Sequence, residues 1–199
     1  MINDVENKEI LLVSVDFVKA VSNLSDNVAG KYIMPSIREA QEIKLEGILG
    51  HSLLEKCKEL VRESLTTGFD WTPYQDYKDL IDECQYFLAY SAIVEVIYKT
   101  SFKLANMGLV KSADQNMQPP TKAEIDNQRA YYQGKADAEG LDLQSYLLNN
   151  RQKYPELTEN NINRIQSNLY SAATCGLFLG GARGKAIPAW RYGCKKYKG

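Results

Sequence analysis

At 199 residues, with 44% hydrophobic and 25% charged side chains, the chain has an ordinary globular composition and enough length for one core, or one core plus an appendage. No basic segment followed by an apolar run and a small-residue cleavage site opens the sequence, so a secreted product is not expected. The net charge of −1 conceals a division: the first 159 residues carry −8, and the last forty hold seven basic residues and no acid, so the two ends are expected to face different partners.

Residues 1–14 read as an N-terminal arm, in which the apolar run Ile10 to Val13 could pair as a strand. Ser14 or Asp16 can cap a short helix through Phe17, Val18 and Val21, and residues 23–27 (NLSDN) form a turn. A helix from about residue 26 to 48 follows, with Ile33, Ile37, Ala40, Gly47 and Ile48 on one face; Pro35 either kinks it or marks its first turn. Leu49 and Gly50 stop that helix. The next carries Leu53, Cys57, Leu60, Val61 and Ser64 on one face and ends at Gly68.

Residues 69–79 are an aromatic connection whose Trp71, Tyr74 and Tyr77 are expected to cover one end of a bundle, with an exposed recognition patch as the alternative. The stretch 80–109 then predicts a central helix. Between Cys84 and Tyr98 only Glu95 is charged, and a helix that is apolar all round belongs in an interior. The uncharged run is too short for a membrane span, so no membrane partner is expected. Gly108 is its predicted C-terminal cap, and residues 109–120 read as a polar loop.

Thr121 and Glu124 form a capping box opening a long helix with Ile125, Tyr132, Ala136, Leu143 and Leu147 on one face, weakened by Gly134 and Gly140 and ended at Tyr154-Pro155. Thr158 can cap a short helix through Ile162, Ile165 and Leu169. Residues 175–181 (CGLFLGG) read as a short strand, and 182–199 as an extended tail. The expected fold is mainly α: about five helices bundled around a buried central helix, with a C-terminal extended arm. The expected division is 1–14 arm, 15–155 core and 156–199 extension.

A catalytic constellation is not found. His51 is the single histidine and cannot by itself make a His-rich metal site. The cysteines at 57, 84, 175 and 194 contain no CxxC pair, and core thiols in a reducing compartment are expected rather than disulfides or metal ligands. Around Lys185 a phosphate-loop comparison fails twice, with Leu179 at the first glycine position and Ala186 at the magnesium-ligand position. Asp76, Asp79, Asp82 and Glu83 have the spacing of a solvated helix face. The expectation is therefore no enzyme, with no catalytic or metal-binding residue and no cofactor.

The tail is more informative. Arg183, Lys185, Trp190, Arg191, Tyr192, Lys195, Lys196 and Tyr197 interleave cations with aromatics, and Phe178 lies just upstream. This pattern suits stacking and phosphate contacts on single-stranded nucleic acid, and equally an anchor at a protein interface. A protein-docking arm is the preferred reading.

Residues 32–42 (YIMPSIREAQE) followed by 48–55 (ILGHSLLE) resemble a pattern of head–tail connector (adaptor) proteins of tailed phages, closest to those of crAss-like and other phages of gut Bacteroidetes. Residues 106–112 (NMGLVKS) after the central helix add to the likeness, which spans roughly residues 14–155. The resemblance implies a virion structural protein of the neck, made in the host cytoplasm. Its small helical bundle would join a homo-oligomeric ring, usually a dodecamer, between the portal protein and adjacent tail or neck rings. Genomic DNA would pass without specific binding. The alternative is a nucleic-acid-binding accessory protein that uses the basic tail.

Overall fold

Ser14 opens the first helix: its hydroxyl accepts the Phe17 N–H at 3.1 Å, and α1 (Val15–Ala20) follows. The computed structural model describes residues 9–25, 28–66, 68–105, 108–111 and 120–175. Among them the protein is mainly α-helical, a small bundle around a buried central helix.

The stretch predicted as one helix over 26–48 starts later and changes pitch. It comprises α2 (Gly30–Glu39), a π-helical segment (Ala40–Leu45) and α3 (Glu46–Leu49). Pro35 lies inside α2 rather than in its first turn, and removes the N–H that would pair with the Lys31 carbonyl. The π segment adds a residue to the turn and so advances the inward register. Buried positions run Ile33, Ile37, Ala40 and Gln41, then Leu45 and Leu49. Gly47, expected on the core face, is exposed, and Ile48 is only partly buried.

Gln41 has no exposure, and both ends of its amide are engaged. The Leu12 N–H donates to Oε1 and Nε2 donates to the Ile10 carbonyl, both at 2.9 Å. One side chain thus supplies the pairing that a neighbouring strand would give. The run that could have paired as a strand is instead pinned to this helix, with Ile10, Leu12 and Val13 buried. The described part of the predicted arm, residues 9–14, therefore belongs to the core.

Gly50 breaks the chain direction with φ of 79°, and α4 (His51–Ser64) begins beyond it. A Cβ at Gly50 would overlap the amide of Asn161, whose Nδ2 donates to the Leu49 carbonyl at 3.2 Å, so the sharp turn doubles as a docking point. Leu53, Leu54, Cys57 and Leu60 bury the inner face of α4.

The central helix α5 (Gln75–Ser101) starts five residues before its predicted start, because Asp70 holds Thr72 through both N–H (2.9 Å) and hydroxyl (2.7 Å), and the single-turn 3-10 helix Thr72–Tyr74 leads straight in. It also ends at Ser101, short of the cap predicted at Gly108. Strands β1 (Phe102–Ala105) and β2 (Gly108–Lys111) pair antiparallel, Phe102 with Lys111 through Ala105 with Gly108, where a helix end and a polar loop were expected. The run of alternating types from Phe102 supports extended backbone once a partner strand is available.

Thr121 caps α6 (Lys122–Asn149) with the predicted capping box, and Ile125, Tyr132, Ala136, Leu143 and Leu147 are buried as expected. The helix runs through Gly134 and Gly140 unbroken, but stops at Asn149 rather than at Tyr154. A single-turn 3-10 helix (Arg151–Lys153) then brings Tyr154 into the interior. Tyr154 donates to the Asp76 carbonyl at 2.9 Å and shares a hydrogen bond with the Tyr146 hydroxyl at 3.0 Å. Lys153 pairs with Asp76 at 2.8 Å, so the end of α6 is fastened to the start of α5.

The last helix, α7 (Glu159–Cys175), is longer than predicted, and Cys175 ends it instead of opening a strand. Ile165 is buried, Ile162 and Leu169 pack against the core, and Leu157 lies within it. The predicted extension after 155 is therefore part of the bundle at least through Leu169, because the 162, 165, 169 stripe has to leave water. Each fully buried Leu or Ile contributes roughly 1.5–3 kcal/mol, which makes α5 and its neighbours the main source of stability.

Candidate interaction surface

All nine residues singled out from the sequence, Phe178, Arg183, Lys185, Trp190, Arg191, Tyr192, Lys195, Lys196 and Tyr197, lie outside the described residues, as does the strand expected over 176–181. The other candidates can be placed. His51 is exposed, with Nδ1 3.5 Å from Glu46 Oε1. Cys57 and Cys84 are buried free thiols, as expected. Burial pushes the Cys57 thiol up to about 12 and that of Cys84 well above its ordinary range, which removes both as nucleophiles. Among the described residues no group of three or more His, Cys, Asp and Glu is arranged to hold a metal, and no helix is long and apolar enough to cross a membrane.

The four acids around the start of α5 are engaged locally or solvated. Asp76 pairs with Lys153, Asp79 accepts from Gln75 at 2.6 Å, Asp82 accepts from Gln85 at 3.1 Å, and Glu83 is exposed. Trp71 and Tyr77 pack against the core at one end of the bundle, the covering role expected of them, and Tyr77 donates to the Glu156 carboxylate at 2.9 Å.

Besides a recess of about 560 Å³ lined by Arg151, Gln152, Glu159, Ile162, Asn163 and Gln166, two smaller ones accompany the bundle. One, of about 310 Å³, is lined by Glu9, Arg38, Glu42, Glu55, Lys58 and Arg62, and five of these charges form ion pairs among themselves. Lys58 reaches Glu42 at 2.6 Å and Glu55 at 2.8 Å, and Arg38 reaches Glu9 at 3.3 Å. The other, of about 230 Å³, has apolar walls of Leu24, Ile93, Ile97, Ile125 and Tyr132. Its carboxylate, Glu124, is already used in the capping box. Neither recess gathers an acid, a base and a nucleophile.

The surface that the sequence did not disclose is a tyrosine seam between α5 and α6. Tyr86 and Tyr90, one turn apart on α5, meet Tyr132 and Tyr131 of α6. The ring centroids step 6.2 Å from Tyr86 to Tyr90, 6.3 Å to Tyr132 and 5.1 Å to Tyr131, and Phe17 of α1 adds an edge contact to Tyr86 at 5.3 Å. The Lys135 ammonium lies 4.8–5.8 Å from the centroids of Tyr131, Tyr90 and Tyr132. A hydrogen bond with Tyr131 helps hold its pKa above the ordinary lysine range. Farther along, the Arg129 guanidinium sits 5.6 Å from the Tyr98 ring.

Tyr86 is 47% exposed and Tyr131 54%, alongside Tyr98 at 44% and Tyr170 at 57%. At the end of the seam nearest Tyr86, Glu83, Glu139 and Asp142 gather. Burial, then Asp142 and Glu83, raise the Glu139 carboxyl above its ordinary value. The sequence signal was there, in the i,i+4 spacing of Tyr86 with Tyr90 and of Tyr131 with Lys135. On α5 that signal is submerged in a helix that is apolar nearly all round.

No curated protein and no solved structure matches the chain. A family of unknown function (DUF6712) matches over residues 45–167, from the end of the π-helical segment to the middle of α7. That stretch is more than half of the chain, so the protein belongs to this family.

Proposed function

We propose that the protein is a virion structural component, a head–tail connector ring subunit that docks on the portal and extends the DNA channel toward the tail. The observation that carries this reading is the packing of the connector-like stretch. Within residues 32–42 and 48–55, Ile33, Ile37, Ala40, Gln41, Leu49, Leu53 and Leu54 have no exposure, and Gln41 clamps the chain's own residues 10–12. A motif whose residues are spent on rigidity suits a scaffold that must repeat its shape around a ring. On this reading the chain acts through its shape and its contacts, with no catalytic role and no cofactor.

An exposed aromatic seam and an acidic body with a basic tail give one copy complementary surfaces for the next. A head-to-tail contact of that kind closes into a ring where its rotation permits. An acidic channel wall would let DNA pass without adhering, since phosphate contacts depend on positive charge. Purified alone, the chain is expected to run as a monomer or weak oligomer.

The test is co-expression with the portal protein encoded in the same genome, comparing the whole chain with one ending at residue 181. The connector reading predicts co-purification of the whole chain with portal rings, lost on truncation, with oligonucleotide affinity little changed. The competing accessory-protein reading rests on the tail's interleaved cations and aromatics. It predicts no portal complex and a steeply salt-dependent oligonucleotide affinity that truncation abolishes.

A further inference from the structure

The tyrosine seam has an electrostatic character that restricts what can cover it. Its ring faces attract cations, as Lys135 already demonstrates from within the chain. Its Tyr86 end carries the acids Glu83, Glu139 and Asp142, close enough that the other two help raise the Glu139 carboxyl. Phosphates would be repelled by that rim, so nucleic acid is a poor occupant. A segment bearing both cations and aromatics is a good one: the aromatics can cover the exposed part of Tyr86, and the cations can relieve the carboxylates.

The chain itself carries such a segment. Residues 182–199 hold Trp190, Tyr192 and Tyr197 among six basic residues and no acid. The route is short. The connection after α6 folds α7 back along it, with Asn168 Nδ2 3.2 Å from Gln144 Oε1. Cys175 lies seven residues on, about 10 Å of helix, which brings the chain to the level of Lys135 and Glu139. Residues 176–189 can span up to about 45 Å, against about 10 Å for the width of α6. The own-chain segment also has an effective concentration in the millimolar range, above that of a separate copy in dilute solution.

We propose that residues 182–199 dock in cis on the α5–α6 tyrosine seam of the isolated chain, with the aromatic side chains of 190–197 over Tyr86 and the cations toward Glu83, Glu139 and Asp142. The latch belongs to the free protein and does not rest on the connector reading. It also defines what a partner has to do, which is to displace the tail or take over the seam.

Trp190 is one of only two tryptophans, so its accessibility can be isolated by subtracting a Trp190→Phe variant from the whole chain. The latch predicts that acrylamide quenches Trp190 about threefold less in the chain than in a peptide of residues 182–199, unchanged over roughly 100-fold dilution. Protection is expected to vanish in Glu83→Lys/Glu139→Lys with the helical circular dichroism retained, and at about 0.5 M salt. Tyr86→Ser, at a half-exposed position, provides a second variant and is expected to lose at least half of the protection. Quenching equal to the peptide's at low salt would overturn the proposal. So would protection that disappears on dilution, which would assign the seam to a second copy, or protection that survives both variants.

Discussion

Helices α5 and α6 are nearly the same length, 27 and 28 residues, and they pack along each other more extensively than any other pair. Their surfaces are opposites. In α5 the buried positions include the unbroken run Ser91, Ala92, Ile93 and Val94, so no side of that turn faces water. In α6 they fall at 125, 132, 136, 140, 143, 144 and 147, a single stripe. The difference follows from neighbours: α5 meets α1, α2, the π-helical segment and α6, whereas α6 meets α5 on one side and α7 beside it. A helix that is apolar all round announces that it is central without saying where it ends. A one-striped helix announces its facing, and here its capping box announces its start.

The contrast is tested hardest by cavities. Leu88 of α5 has no exposure, and Leu88→Ala is expected to cost about 3–5 kcal/mol, since its neighbours Phe87 and Ala89 are buried too and the middle of α5 has little room to relax into the hole. Leu147 of α6 is equally buried but lies in the last turn, beside the short Arg151–Lys153 segment that can follow it. Leu147→Ala is expected to cost about 2–3 kcal/mol. Urea unfolding of both variants gives the order, and a smaller loss for Leu88→Ala would contradict the claim that α5 is the more tightly enclosed.

A finer probe uses the two α6 glycines. A Cβ at Gly134 meets nothing within 4 Å, so Gly134→Ala is expected to stabilise by about 0.5–1 kcal/mol through helix propensity alone. A Cβ at Gly140 would stand 3.1 Å from Phe87 Cε2 and 3.3 Å from Cδ2. The α5 ring occupies the space that the side chain needs, and Gly140→Ala is expected to fall below Gly134→Ala by at least about 1 kcal/mol. Equal stabilisation by the two changes would mean that the α5–α6 contact at Phe87 is looser than its geometry.

The same contrast explains what could be read in advance. The start of α6 was legible to the residue because a capping box is local: Thr121 and Glu124 carry the whole signal. The end of α5 was not, because pairing of residues 102–105 with 108–111 competes with helix through contacts that no single-strand periodicity contains. The core face of 30–49 was legible up to Ala40 and then slipped, since the π segment inserts a residue that composition does not reveal. Gln41, a polar residue in that helix, clamps Ile10 and Leu12, a role visible only when residues thirty positions apart are brought together. The seam was missed for a related reason. Tyr86 and Tyr131 belong to helices whose other aromatics, Tyr90 and Tyr132, are partly or fully buried, and exposure cannot be divided between such neighbours from spacing alone.

The smallest effect is invisible at neutral pH. Cys84 of α5 is enclosed on every side, and its thiol is held well above the ordinary cysteine range by burial, then by Cys57 and Glu83. A raised thiol keeps its proton in the folded state while the unfolded chain releases it, so the folded state binds more protons at alkaline pH. Stability is therefore unaffected below the ordinary thiol pKa of about 8.5 and falls above it, by up to about 1.4 kcal/mol per pH unit for each such group. Cys84→Ala leaves a small cavity, which is a constant offset, and removes this slope. Between about pH 9 and 10.5, urea midpoints of the Ala variant are expected to decline less steeply than those of the parent chain. Identical slopes would show that the Cys84 thiol ionises while still folded, and that the middle of the bundle is wetter than the surface stripe of α6 implies.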